Sequence, residues 1–264
     1  MKGRVLPIVA VLGWSVPAFA QPAPETSASR DRLQMACAPM SLPAAPNQAL
    51  RVLGGYQRGR LLFGPDEALI VNAGANQGVR QGQEYYVRRV VHDRFTRWTL
   101  GYQPISIHTA GRVRIVDVQP DVSVAAVTQA CDGVMYGDYL EPFVDPVLPP
   151  GASVIGQPDF EHSARIALGD ERRQTGAPGS LMVLDQGSDA GLRAGQTLTI
   201  YRWSGQPTPM MAYYGPTLRG RGPSVRVGTA RVLSVQPRTA LIRIESSREA
   251  VYVGDFAAVH RPAP

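Results

Sequence analysis

The stretch NAGANQGVRQGQEYYVRR, Asn72 to Arg89, sets Gly74, Gly78 and Gly82 at equal spacing, and the chain then repeats the arrangement. In DQGSDAGLRAGQTLTIYR, Asp185 to Arg202, Gly187, Gly191 and Gly195 fall at the same intervals, and Gly-Gln again opens an alternating run. The match extends outward. EALIVNAGANQGVRQGQEYYVRR aligns with SLMVLDQGSDAGLRAGQTLTIYR, and further on Gln119-Pro120 and Gly137-Asp138 correspond to Gln236-Pro237 and Gly254-Asp255. A unit of about 115 residues is too long for a solenoid repeat and has the length of a duplicated domain. Whatever this chain folds into, it does so twice.

Each copy reads as β. Glu84–Arg88 and Thr197–Tyr201 alternate, while Val113–Val118 and Ala240–Ile244 are dense in β-branched residues. Gly, Pro, Asn and Asp punctuate these runs, and no segment offers an amphipathic helix of more than about three turns. Many short strands with regular turn signals predict an all-β fold of two tandem small barrels, SH3-like or six-stranded. The first barrel is assigned to residues 49–144 and the second to residues 154–264, joined by the Pro-rich linker DPVLPPGAS at 145–153. Ahead of them lies a Pro- and Ala-rich segment, residues 21–48, of linker composition. Within it SASRDRLQMACAPM has room for a short helix that Cys37 would pin down.

The glycines are architectural. Gly78 and Gly191 follow Asn76-Gln77 and Asp189-Ala190 at turns that call for positive φ, and Gly82 and Gly195 launch the next strand. A phosphate loop would need a Gly-Lys-Ser/Thr ending or a strand-to-helix GxGxxG, and neither is present. A GxxxG membrane interface needs an apolar 20-mer, which Arg80, Gln81 and Gln83 rule out. Asp138 and Asp255 recur in Gly-Asp turns, where a carboxylate accepts from nearby backbone N–H groups.

The pattern G-x-x-x-G-hydrophobic-R-x-G-Q, a strand ending in Arg, V-x-V-Q-P and a closing G-D resembles the C-terminal domain of flagellar assembly protein T. It is also similar to the related β-modules that accompany LysM domains in exported bacterial proteins. The resemblance spans about residues 50–143 and 151–261, in two copies. It implies a small envelope β-barrel used for assembly or binding rather than chemistry. No LysM motif accompanies it in this chain.

The N-terminus predicts export. Lys2 and Arg4 precede an apolar run from Val5 to about Val16, and Ala18-Phe19-Ala20 supplies a small-x-small cleavage pattern, so residues 1–20 read as a signal peptide cut after Ala20. No later stretch reaches the roughly 18 apolar residues that a membrane-spanning helix needs. The expected destination is the bacterial periplasm, with the extracellular medium as the alternative. There an isolated cysteine pair, Cys37 and Cys131, predicts one disulfide. The net charge of +6, which falls by two when Lys2 and Arg4 leave, is spread without runs, which suits anionic envelope polymers and not nucleic acid.

Catalytic and metal-binding patterns are not found. His92, His108, His162 and His260 are widely spaced, no Gly-x-Ser-x-Gly elbow appears, and the acidic pairs Asp66-Glu67 and Asp170-Glu171 read as turn and edge residues. The expectation is a non-enzymatic protein with neither cofactor nor metal. Binding is assigned to two insertions at equivalent points of the two copies. After Arg89 the first brings Phe95, Arg97, Trp98 and Tyr102; after Arg202 the second brings Trp203, Met210, Met211, Tyr213, Tyr214, Arg219 and Arg221. Long loops rich in aromatics, Met and Arg are characteristic of contact surfaces. The partner expected is an envelope protein, with peptidoglycan or another polysaccharide bound directly as the alternative.

Overall fold

The computed structural model describes residues 27–55, 59–91, 105–149, 156–170, 173–204 and 222–261. A helix, α1 (Ser27–Ala36), and a short strand, β1 (Met40–Leu42), come first. The first unit then runs β2 (Val52–Gly55), β3 (Leu62–Phe63), β4 (Ala68–Val71), β5 (Glu84–Val91), β6 (Ile105–Val118), β7 (Ser123–Ala130), β8 (Val134–Met135) and β9 (Tyr139–Pro142). The second runs β10 (Gln157–Pro158), β11 (Ala164–Gly169), β12 (Thr175–Gly176), β13 (Leu181–Leu184), β14 (Thr197–Trp203), β15 (Ser224–Val235), β16 (Ala240–Ser247), β17 (Val251–Tyr252) and β18 (Phe256–Arg261). Among the described residues no helix is long and apolar enough to cross a membrane.

The all-β architecture expected from the alternation is the one that forms. The main sheet of the first unit has the order β2-β4-β7-β6-β5-β9, and that of the second β11-β13-β16-β15-β14-β18, so the two agree strand for strand. In the second unit β18 pairs with both β14 and β11, which closes a six-stranded barrel. In the first unit the edges β2 and β9 meet at an isolated bridge, Arg51 to Tyr139, flanked by the bonds Val52 N–H to Asp138 O and Leu140 N–H to Leu50 O. Each unit also carries a two-stranded ribbon, β3–β8 in one and β12–β17 in the other. Alternation along the strands sends Leu69, Val71, Val87, Ile115 and Leu140 into the first core, and Met182, Leu184, Ile200, Val232 and Ile242 into the second.

The duplicated glycines are explained by contact as much as by dihedral angle. A Cβ on Gly74 would run into the Gln119 carbonyl, and one on Gly187 into the Gln236 carbonyl. Those Gln-Pro turns accept the next N–H groups: Ala75 and Asn76 bond Gln119 O and Pro120 O, both at 2.9 Å, and Ser188 and Asp189 bond Gln236 O and Pro237 O at 2.9 and 3.0 Å. The glycine block and the distant Gln-Pro repeat together because they are two halves of one joint. Gly78 and Gly191 then end a short 3-10 turn in the left-handed region, at φ 81° and 80°, where any Cβ would be strained. Gly82 and Gly195 also have positive φ.

The N-terminal segment belongs to both units. Cys37 is disulfide-bonded to Cys131, the Thr109 hydroxyl donates to Ala38 O at 3.2 Å, and β1 pairs with β6, so this end is fastened to the first unit. Met35 and Ala38, however, pack on the outside of the second unit against Leu168, Leu181, Val183, Leu233 and Leu241, and Arg243 donates to Asp31 at 2.6 Å. Each leucine so covered stabilises by about 1.5–3 kcal/mol relative to exposure. Sheet register places Gly54, Ala68, Ile70, Val116 and Val124 at the corresponding positions of the first unit. That smaller face leaves Val116 exposed.

Candidate binding surfaces

The two insertions leave from equivalent hairpins. The β5–β6 ladder ends at Val91 opposite Ser106, and the β14–β15 ladder ends at Trp203 opposite Ser224, with Ser204 N–H bonded to Pro223 O at 2.9 Å. Trp98, Tyr102, Met210, Met211, Tyr213, Tyr214, Arg219 and Arg221 lie outside the described residues, as does the signal segment. Trp203 does not: it stands at the neck of the second insertion.

Its surroundings form a ring cluster. Tyr201 is buried, meets Trp203 edge-on at 5.9 Å and Phe160 edge-on at 4.9 Å, and stacks on Phe256 at 5.4 Å. The Tyr201 hydroxyl donates to Ser163 Oγ at 3.0 Å, and the Arg165 guanidinium lies over Phe256 at 5.5 Å. Aromatic pairs of this kind add about 0.5–1.5 kcal/mol beyond their buried area, so the hairpin neck is a stiff base for whatever leaves it. Phe160 is exposed, while Trp203 and Phe256 are half-buried. The first unit has a different cluster: Tyr86 against Phe143 at 4.8 Å, with Arg88 over Tyr86 at 4.5 Å and Arg112 over Phe143 at 4.6 Å. Thr199 and His260 occupy the corresponding positions in the second unit and share a hydrogen bond of 2.8 Å.

Asp138 and Asp255 do accept from nearby backbone, Met135 N–H and Tyr252 N–H, each at 2.8 Å. Their main partners lie far off in the sequence. Arg89 grips Asp138 in a two-point fork, Nε to Oδ1 at 2.7 Å and Nη2 to Oδ2 at 2.8 Å, and Arg202 grips Asp255 the same way at 2.9 and 2.7 Å. Each arginine also caps a carbonyl of the ribbon turn, Gly133 O or Ala250 O. The hydrogen bond to Asp138 raises the pKa of the Arg89 guanidinium, and burial pushes the Asp255 carboxyl up against the pull of Arg202. The recurrent arginine at the strand end is thus a structural latch on the Gly-Asp turn, and the signal for it was its repetition with that turn.

Titratable groups also pair elsewhere among the described residues. Glu67 accepts from Gly64 N–H and pairs with Arg60, and His162 sits beside Asp159 on the surface. Buried His108 is the exception: Nε2 lies 3.4 Å from Asp132 of its own unit and Nδ1 lies 3.9 Å from Asp170 of the other, an arrangement that bridges the units. Among the described residues no group of three or more His, Cys, Asp and Glu is placed to hold a metal. A cleft of about 450 Å³ between the units is lined by Met35, Tyr86, Arg88, Glu141, Val183 and Leu241; its buried Arg88 is matched by Glu141 at 3.1 Å. The described surface thus offers rings, paired arginines and apolar side chains, which are the materials of recognition. No protein-family model matches this chain, and no curated protein matches it.

Proposed function

We propose that this chain is an exported, non-catalytic binding or assembly component of the cell envelope, and that it contacts an envelope protein through the insertion between β14 and β15. The observation that carries this reading is Trp203, held edge-on to buried Tyr201 at the neck from which an insertion rich in Met, Tyr and Arg departs. Rigid presentation lowers the entropy lost on binding, and Trp, Tyr and Arg dominate interface energetics. The disulfide is compatible with an oxidising compartment. The resemblance of the repeat to the C-terminal domain of flagellar assembly protein T supports the envelope setting.

Direct binding of peptidoglycan is the second reading, favoured by the exposed Phe160 ring, held edge-on to Tyr201, which can stack on a sugar face. Co-sedimentation of residues 21–264 with purified sacculi over a salt series separates the two. The adaptor reading expects no salt-resistant retention, and it expects a photo-crosslinker at Tyr213 to trap one defined envelope protein, with the yield lost in Trp203→Ala. Retention that survives moderate salt and disappears in Trp98→Ala or Trp203→Ala would replace the adaptor with the glycan binder. Retention lost with salt would reflect arginine charge alone.

A further inference from the structure

We infer that the open edge of β15 in the second unit, at Ser224–Arg226, binds an extended acidic segment of a partner protein as an added strand. The first unit provides the template. There one edge of β6 carries two strands in line: β7 along Gly111–Val118, and beyond its end β1 along Ile105–Ile107. Side chains hold that added segment at two positions. The Thr109 hydroxyl donates to Ala38 O at 3.2 Å, and Cys131, just past β7, is joined to Cys37 with their Cα atoms 5.5 Å apart. In the second unit β16 follows β15 only along Gly228–Val235, and among the described residues no strand pairs with Ser224–Arg226 on that edge. All three residues are exposed, whereas Ile107, His108 and Thr109 at the equivalent positions are all buried. Ser204 N–H bonds Pro223 O, and antiparallel pairs alternate, so Val225 turns its main-chain groups to β14 while Ser224 and Arg226 turn theirs outward. Such an edge is a template for another strand.

The chemistry of the occupant follows from the two holding positions. Arg226 stands where Thr109 does, since Tyr201 faces Arg226 as Arg88 faces Thr109. Arg248 stands where Cys131 does, since Arg248 N–H bonds Val227 O as Cys131 N–H bonds Ala110 O. Both arginines are exposed, and among the described residues neither has an ion-pair partner. The acids near them in sequence are engaged elsewhere, Glu245 with Arg231 and Arg243, and Glu249 with Arg202. A strand laid on this edge therefore meets guanidinium groups at the two points where β1 meets a hydroxyl and a disulfide, and carboxylates at those points complete it. The β1 segment cannot serve, because the disulfide holds it to its own first unit. A second β15 does not serve either, since edge-to-edge pairing would gather the arginines of both copies along one seam. The site rests on the reading of this chain as a binding module, and it defines the partner segment as extended and acidic.

Fluorescence anisotropy of residues 21–264 with a labelled peptide tests this. The peptide has the sequence of residues 37–42 with glutamate in place of the first two, which keeps the Met-Ser-Leu strand of β1 and sets carboxylates where Cys37 and Ala38 lie. Saturable binding with a dissociation constant below about 1 mM is expected. Lysines in place of the glutamates should weaken it at least about tenfold, and so should Arg226→Gln/Arg248→Gln. Two changes that leave every charge in place read the main-chain bonds: N-methylation of the peptide's methionine, and Ser224→Pro, which removes an outward N–H that the fold does not use. Each should also weaken binding at least about tenfold, and Ser224→Pro should do so with no loss of melting temperature. A peptide that fails to saturate would overturn the inference, as would binding that survives both N-methylation and Ser224→Pro, which is charge attraction alone. The insertion is read separately. Peptide binding without a crosslink at Tyr213 would support the edge site and overturn the insertion contact, and a crosslink without peptide binding would do the reverse.

Discussion

The two units have the same strand order, the same glycine joint against a Gln-Pro turn and the same forked Arg–Asp latch, yet they present opposite surfaces. The second unit hides a leucine-rich outer face beneath α1 and has Gln174 and Thr175 at its ribbon. The first keeps a small-residue outer face and exposes Leu61, Leu62 and Tyr136 at its ribbon. Positions shared by the copies are those where backbone geometry or a buried charge leaves no choice. Positions that differ include core pairs of similar volume, such as Leu69 and Met182, and the outer-face positions that α1 covers in the second unit alone.

The comparison breaks most severely at the disulfide. Its bridge spans 94 residues of sequence, and closing a loop of that size is worth about 4.7 kcal/mol in the unfolded-chain account. Cys37→Ser/Cys131→Ser should lose about that much in denaturant unfolding. Because α1 rests on the second unit, proteolysis should then cut within 27–36, and the second unit should lose stability although it contributes neither cysteine. A loss confined to the first unit would show that α1 stays docked without its tether.

The latches sharpen the comparison. Asp138→Asn and Asp255→Asn should each cost about 3 kcal/mol in their own unit, since each leaves an arginine facing a neutral partner in a buried site. Equal costs would support a common structural role. A much smaller cost at Asp255 would mean that Glu249, 3.4 Å from Arg202, takes over the pairing. The smallest effect is a pH dependence confined to the second unit. Burial, with the nearby Arg226 charge, holds the His260 imidazole below its ordinary pKa, so the fold favours the neutral ring. Its contribution is therefore complete above the unfolded value of about 6.5 and is lost as pH falls through the folded value. Melting curves taken between neutrality and about pH 5 should show a slope that His260→Gln removes. The first unit has Phe143 at this position and should not share that slope.

Backbone constraints were legible in the sequence. Positive φ at Gly78 and Gly191 and the acceptor role of Asp138 and Asp255 follow from local residue chemistry, and the strand alternation gives the all-β class. Partners distant in sequence were not. Arg89 and Asp138 stand 49 residues apart, and nothing local to either names the other. The docking of α1 left a trace that alternation alone does not interpret: Leu181-Met182-Val183-Leu184 is apolar at every position, which is how a strand reads when both its faces are covered. The open ribbon was hidden for the opposite reason, because Leu61-Leu62-Phe63 has the composition of an ordinary core strand, and only its pairing shows which side chains stay outside.

The bond between Asp31 and Arg243 joins residues 212 apart, almost the full span of the described chain. During synthesis α1 emerges before the sheet that it covers. Until then the leucine face of the second unit has no cover and the helix has no seat. Contacts this non-local form late and slow the approach to the native state. A helix made before that sheet is thus set in place after it, and its docking completes the described fold.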